Sequence, residues 1–417
     1  MRRLAKTMII FALASTLALP AAAKEFLLDG VPLPSDVAPL AKAQKSHPDM
    51  TGTWVGAWGG VLKHIMVIES VRSDGKAKII YAYGDAPFWG ITRSWIRMSG
   101  TLKGNRLTVK GSQFQATYDL LGNNTLNAIY ARGRSRSQAT MRRLAVTKPS
   151  ATTKVKWNNA ETIMLPTALT ENGKAVRLKT ILSKPAGKGP HPLAVINHGS
   201  TGNGKNAASF DWVWFDPGLA EFFTSRGYIA AFPQRRGRGG SDGLYDEGFA
   251  RDRKQGYACN AKTSLKGADR AMDDLRAAID SLRKRDDVDD AQIVVSGVSR
   301  GGILSAAFAG KYPKEIKAVV NFVGGWMGER CHNASKINES LFRKAADYGG
   351  ETLWLYGTGD PFYSIQHSKK NFAAFEQAGG KGIMNVYDVP GGNGHLVHLI
   401  QPLWGDAANT YMNKVAP

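Results

Sequence analysis

Ile293-Val294-Val295-Ser296-Gly297-Val298-Ser299-Arg300-Gly301-Gly302-Ile303-Leu304-Ser305-Ala306-Ala307-Phe308-Ala309 is the stretch from which the fold can be read. Ile293-Val294-Val295 reads as a buried strand, and the run from Ile303 to Ala309 as a helix of mostly small residues. Between them, Gly297-x-Ser299-x-Gly301 makes a sharp strand-to-helix turn, with glycines on each side so that strand and helix can approach. The Ser299 hydroxyl is thereby held at a helix N-terminus, where the dipole and unpaired N–H groups favour developing negative charge. The pattern recurs at Gly239-Gly240-Ser241-Asp242-Gly243. No strand leads directly into that copy and no helix follows it, so Ser241 reads as a loop residue.

Outward from this turn, apolar strand-like runs at 193–197, 228–232, 293–297, 318–322, 352–357 and 383–389 alternate with helical stretches at 219–225, 264–285, 303–311 and 365–378. Such alternation predicts an α/β fold, a mostly parallel sheet covered by helices on both faces. Reactive groups collect beyond the carboxyl ends of strands in such sheets. A serine hydroxyl needs a base to take its proton, and the base needs an orienting acid. Asp360, in Tyr356-Gly357-Thr358-Gly359-Asp360-Pro361, lies just past one strand; an Asp before Pro is also a common turn former. His395, in Pro390-Gly391-Gly392-Asn393-Gly394-His395, follows the last strand. His398 is its rival, expected in the next helix with its ring turned elsewhere, and Asp388 is the fallback acid.

Together with Asn197-His198-Gly199-Ser200-Thr201-Gly202 and Arg235-Arg236-Gly237-Arg238-Gly239-Gly240, these elements resemble the α/β-hydrolase superfamily over roughly residues 176–411, in its dienelactone hydrolase-like and prolyl oligopeptidase-like branch. The resemblance implies the order nucleophile, acid, base: Ser299, Asp360, His395. It also implies an oxyanion hole of backbone N–H groups at Ser200, Thr201 and Arg300, with His198 a structural brace, and no cofactor. Dienelactone hydrolase itself uses a cysteine nucleophile. Ser299 departs from that, so lactone ring-opening is not carried over. No blade repeats occur, so the propeller of prolyl oligopeptidases is not implied. The leading expectation is a serine hydrolase acting on a small-molecule or polymer carboxylic ester through an acyl-enzyme. A peptidase or amidase could use the same residues, and a binding protein on a hydrolase scaffold is a third reading.

The front of the chain has a different grammar. Residues 50–147 hold short strand-like runs split by turn signals such as Ser73-Asp74-Gly75 and Lys103-Gly104-Asn105, which predicts a small antiparallel barrel or sandwich. Gly52-Thr53-Trp54 resembles the opening GxW of lipocalin-like barrels. Residues 24–49 read as a linker or loosely packed arm, 148–175 as a linker and entry to the second domain, and 176–417 as the catalytic domain. Residues 1–23 read as a signal peptide: Arg2, Arg3 and Lys6, an apolar run from Met8 to Leu19, then Pro20 and Ala21-Ala22-Ala23 before a cleavage point at Lys24. That run is shorter than the about 20 residues of a membrane span. The expected location is periplasmic or secreted.

Cys259 and Cys331 both lie in segments leaving the carboxyl ends of strands; in an exported chain they are expected to form a disulfide at the rim of the site. Trp212, Trp214, Phe215 and Trp326 gather in the same loops, as substrate contacts or as hydrophobic closure of the cleft. The histidines are scattered and no CxxC occurs, so no metal site is expected. The formal net charge of +21 is spread along the chain and reads first as a solvated cationic surface, with contact to an anionic surface as the alternative. No basic stripe interleaved with aromatics appears, so no nucleic-acid partner is expected.

Overall fold

The computed structural model describes residues 24–40, 48–58, 62–86, 91–122, 124–133, 135–146, 148–155, 160–389 and 392–416. The expected signal segment, 1–23, lies outside the described residues. The chain divides into two compact units, one running to Asn158 and including Asp216–Gly218, the other holding the rest.

The first unit opens with a hairpin of β1 (Glu25–Leu28) and β2 (Val31–Pro34). Then come β3 (Gly52–Trp58), β4 (Leu62–Val71), β5 (Lys76–Tyr83), β6 (Ser94–Lys103), β7 (Arg106–Lys110), β8 (Gln115–Gly122), β9 (Thr125–Arg132) and β10 (Ser135–Arg143). Each of these pairs antiparallel with the next, and β10 returns to β3 with Arg142 opposite Val55, closing an eight-stranded barrel. Strand alternation sorts the side chains into two sets. Trp54, Trp58, Met66, Tyr81 and Tyr118 form one core, while Val55, Ile65, Val67 and Ile80 pack against Leu28, Val31, Leu33 and Val37. The expectation of a loose arm at 24–49 is therefore corrected for its first part: the hairpin is a packed layer on the barrel. Its turn, Asp29-Gly30, has φ of 48° and 88°, the left-handed pair that a two-residue hairpin turn needs.

His64 sits wholly inside this barrel core, its ring 5.0 Å from Trp58 and 4.4 Å from Tyr81. Its Nδ1 lies 2.8 Å from the Ala82 carbonyl, which can only accept, so Nε2 accepts the Tyr118 hydroxyl at 2.9 Å. That pairing belongs to the neutral ring.

Among its described residues the second unit holds an eight-stranded sheet and six α-helices. In chain order these are β11 (Ala160–Glu171), β12 (Lys174–Ser183), β13 (His191–Asn197), α1 (Pro217–Thr224), β14 (Ile229–Pro233), α2 (Ala261–Leu282), β15 (Val288–Val298), α3 (Arg300–Lys311), β16 (Ala318–Phe322), α4 (Ala334–Ala345), β17 (Glu351–Gly357), α5 (Ile365–Gln377), β18 (Lys381–Tyr387) and α6 (Gln401–Val415). Spatial order is β11-β12-β14-β13-β15-β16-β17-β18. Every neighbouring pair from β14 to β18 is parallel, whereas β11–β12 and β12–β14 are antiparallel, so the sheet is mixed. The central β14 and β16 are buried at every residue, as strands covered on both faces must be. The antiparallel start corrects the expected linker at 148–175, because its later part is strand β11, which pairs along β12.

Burial holds the His64 pKa down at about 3. The unfolded chain takes up that proton near pH 6.5, so between about 6.5 and 3 it binds more protons than the folded one and stability falls as pH falls. Urea unfolding should show this as a slope of about 1.4 kcal/mol per pH unit that His64→Asn removes. Equal slopes in the two proteins would contradict it.

Candidate active site

Strand β15 ends at Val298 and α3 begins at Arg300, leaving Ser299 as the single turning residue, with φ 58° and ψ −121°. Such an angle is costly for a residue with a side chain and persists only where its surroundings impose it. Here they do. A Cβ at Gly297 would meet the Gly301 carbonyl carbon at 2.4 Å, and one at Gly301 would meet the Asn197 carbonyl oxygen at 2.0 Å. The Ser299 N–H donates to the Phe322 carbonyl at 2.9 Å, and its own carbonyl accepts from Gly302 at 3.0 Å and Gly325 at 3.2 Å. Ser299 keeps 6% exposure. Ser241 is different: its hydroxyl donates to the Gln234 carbonyl at 2.6 Å and accepts the Lys179 N–H at 2.8 Å, a structural tie within its loop.

Asp360 uses its two oxygens differently. Oδ1 accepts the N–H groups of Phe362 at 2.8 Å and Tyr363 at 3.1 Å, while Oδ2 lies 2.8 Å from His395 Nδ1. The carboxylate side chain is 1% exposed. The turn-forming habit of Asp before Pro and the orienting of a histidine thus coexist in one residue. Asp388 is engaged elsewhere, accepting from the Thr358 hydroxyl at 2.9 Å. With Nδ1 facing Asp360, His395 has Nε2 left for other partners. Tyr363 adjoins both His395 and Ser299: its ring lies 5.8 Å from that of His395, and its hydroxyl, which donates to the Gly325 carbonyl at 2.6 Å, also contacts the Ser299 hydroxyl. His398 lies in the same 3-10 turn as His395, Gly394–Leu399, and is buried there. This corrects its expected place in the following helix.

The loop after β13 comes up against Ser299. A Cβ at Gly199 would lie 3.3 Å from Ser299 Cβ and 3.8 Å from its Oγ. The Arg300 N–H, first in α3, is of the kind that a helix leaves unpaired. Thr201 departs from expectation as a free donor, because its N–H is directed at the Tyr257 hydroxyl at 3.3 Å. His198 is a brace. Its Nε2 accepts the Arg235 N–H at 3.1 Å and its Nδ1 lies 2.8 Å from the Gly199 carbonyl. Burial, reinforced by the charges of Arg235 and Arg238, holds its pKa well below the usual histidine range.

Beneath the loop sits a buried charge cluster that the sequence did not announce. Glu247 accepts Arg235 Nε at 2.5 Å, Arg300 Nη1 at 3.3 Å and the Tyr245 hydroxyl at 3.1 Å. Burial pushes its carboxyl up, but Arg235 and Arg300 outweigh that and hold it below the usual range. The Tyr245 hydroxyl continues to Tyr257 at 2.6 Å, and the Arg300 guanidinium lies 3.6 Å from the Tyr257 ring centroid and 4.5 Å from that of Trp326. Trp326 is therefore not a substrate contact: it is 1% exposed and its Nε1 donates to the Ser264 carbonyl at 3.0 Å. Trp214 and Phe215 are half-buried against Phe232. Trp212 is 39% exposed. Cys259 and Cys331 are joined as a disulfide with Cα atoms 5.4 Å apart.

Removing the Glu247 carboxylate would strand two buried guanidinium groups, so Glu247→Ala should lower stability by about 3–5 kcal/mol in urea unfolding; a change under about 1 kcal/mol would mean that the cluster holds little. Thiol titration of the unreduced, denatured protein should find no reactive thiol, and two after reduction. Two before reduction would rule out the disulfide.

Comparison with known proteins adds the lineage. The model of the dienelactone hydrolase family matches residues 180–395. No curated protein matches the chain. Among solved structures, an esterase from Pyrococcus furiosus is 14% identical, with a TM-score of 0.44 over 62% of this chain and 92% of its own. Est1E from Butyrivibrio proteoclasticus, solved with ferulic acid bound, is 17% identical, with a TM-score of 0.40 over 58% of this chain and 96% of its own. Dipeptidyl peptidase 4 from Porphyromonas gingivalis is 17% identical, with a TM-score of 0.40 over 82% of this chain and 51% of its own. These structural likenesses are distant, and lineage rests on the family match, which spans over half of the chain and contains Ser299, Asp360 and His395. The chain belongs to the dienelactone hydrolase family, within the α/β-hydrolase superfamily.

Proposed function

We propose that the protein is a serine hydrolase of carboxylic esters, with Ser299 as nucleophile, His395 as general base and Asp360 as its orienting acid. The observation that carries this reading is the buried Asp360 carboxylate. Two backbone N–H groups fix one of its oxygens, and the other faces His395 Nδ1 at 2.8 Å. A histidine so held presents Nε2 in the unprotonated tautomer and is stabilised when it becomes an imidazolium.

In the first half-reaction His395 Nε2 takes the Ser299 proton as Oγ bonds to the ester carbonyl carbon. The tetrahedral oxyanion receives N–H donors from Arg300 and the Gly199–Ser200 backbone, each worth roughly 3 kcal/mol of barrier. Collapse breaks the bond to the alkoxide, which leaves with the proton from His395. Water then attacks the acyl-enzyme, giving its proton to His395, and the carboxylic acid departs as Ser299 recovers its hydrogen. The substrate is a small-molecule or polymer ester. Export to the periplasm or beyond follows from the basic and apolar character of residues 1–23 and agrees with a paired Cys259 and Cys331.

On a chromogenic short-chain ester, Ser299→Ala should cut kcat/KM by about 1,000-fold or more, and His395→Ala similarly. Turnover by Ser299→Ala at the wild-type rate would remove the proposal.

A further inference from the structure

The segment that carries Asp360 presents another aromatic side chain beside the candidate base. Phe362 donates its N–H to Asp360 Oδ1 at 2.8 Å, and its carbonyl accepts the Glu329 N–H at 3.1 Å. Its backbone is thus pinned on both sides. The residue is nonetheless 44% exposed, and its ring meets His395 in a T-shaped contact with centroids 4.7 Å apart. A lone exposed phenylalanine on a protein surface calls for no explanation. One held firmly against a general acid–base does.

We propose that Phe362 is the wall on which the leaving alcohol packs, so that the protein prefers esters of apolar, ring-bearing alcohols to esters of small or hydroxyl-rich ones. This rests on the assignment of His395 above. Because Nδ1 is held by Asp360, only Nε2 can return a proton to the departing alkoxide, whose oxygen must come within about 3 Å of it. Rings whose centroids are 4.7 Å apart leave no layer between them, so carbon substituents beside His395 border the exposed part of Phe362. An apolar ring there covers phenylalanine surface that otherwise stays wet. A hydroxyl-rich group would lose water contacts with no donor or acceptor from Phe362 in return.

The acyl-enzyme is the same whichever alcohol has left. Selection by Phe362 therefore acts in acylation, which kcat/KM reads, and not in deacylation. The test compares benzyl acetate with methyl acetate, which share an acyl group and have alcohols of similar acidity. The wild-type protein should favour benzyl acetate. Phe362→Ala should lower the benzyl-to-methyl ratio of kcat/KM about 5- to 10-fold, and Phe362→Leu, which keeps apolar bulk, should lower it less. A wild-type protein without benzyl preference, or a ratio unchanged in Phe362→Ala, overturns the proposal. Failure of the Ser299 assignment looks different, since Ser299→Ala would then still turn over both acetates.

Discussion

At Gly301 there is no space for a side chain, because the Asn197 carbonyl oxygen occupies the position that a Cβ would claim, 2.0 Å away. Strand β13 and helix α3 therefore meet backbone to backbone. That approach brings the loop after β13 onto the turn between β15 and α3, so Gly199 touches Ser299. It also fixes the left-handed angle at Ser299, since the chain has no other way to leave the strand and enter a helix pressed against its neighbour. The Ser305 hydroxyl reinforces the junction: its one proton serves the Ser296 and Gly301 carbonyls, at 2.7 and 2.8 Å, and it accepts from Asn197 Nδ2 at 2.8 Å. Asp360 follows β17 and His395 follows β18, two strands that run parallel to β15 in the same sheet.

A second layer of order comes from charge. Two arginines far apart in sequence, Arg235 and Arg300, share one buried carboxylate. Buried ion pairs of this kind are weak contributors to net stability compared with apolar packing, yet breaking one leaves an uncompensated charge. Their effect here is geometric. Arg235 holds His198 by its backbone N–H and its carbonyl by Nη1 at 3.0 Å, and Tyr257 joins the cluster to Thr201. Position in the His198–Thr201 loop is thus set by groups beneath it.

The sequence disclosed the parts of this architecture that repeat locally. Fully buried parallel strands show as continuous apolar runs, and the β16 expected at 318–322 coincides with Ala318–Phe322. The strand-to-helix turn expected at Ser299 lies where the sequence placed it, and Asp360 and His395, expected after their strands, are joined by a hydrogen bond of 2.8 Å. Strand β11 escaped notice because it is an edge strand, with only Leu165 buried, so it lacks an apolar run. The Asp29-Gly30 turn was readable as a hairpin signal, but the flanking strands are four residues each and carry three prolines nearby. The sequence leaves Trp326 between substrate contact and hydrophobic closure, because loop position says nothing of burial; its 1% exposure fits closure. Glu247, Tyr257, Phe362 and Tyr363 act through partners that only the tertiary fold supplies.

Arg300 has a further implication for how such a protein can diversify. Its backbone lies at the start of α3 beside the reactive hydroxyl, while its guanidinium is committed to Glu247, the Trp326 carbonyl and two aromatic faces. One residue therefore borders the Ser299 turn through its main chain and ties the scaffold through its side chain. A change at this position cannot retune selectivity without disturbing the scaffold, which makes it a poor site for adaptation. Trp212 and Val213, 39% and 41% exposed, are by contrast turned largely outward.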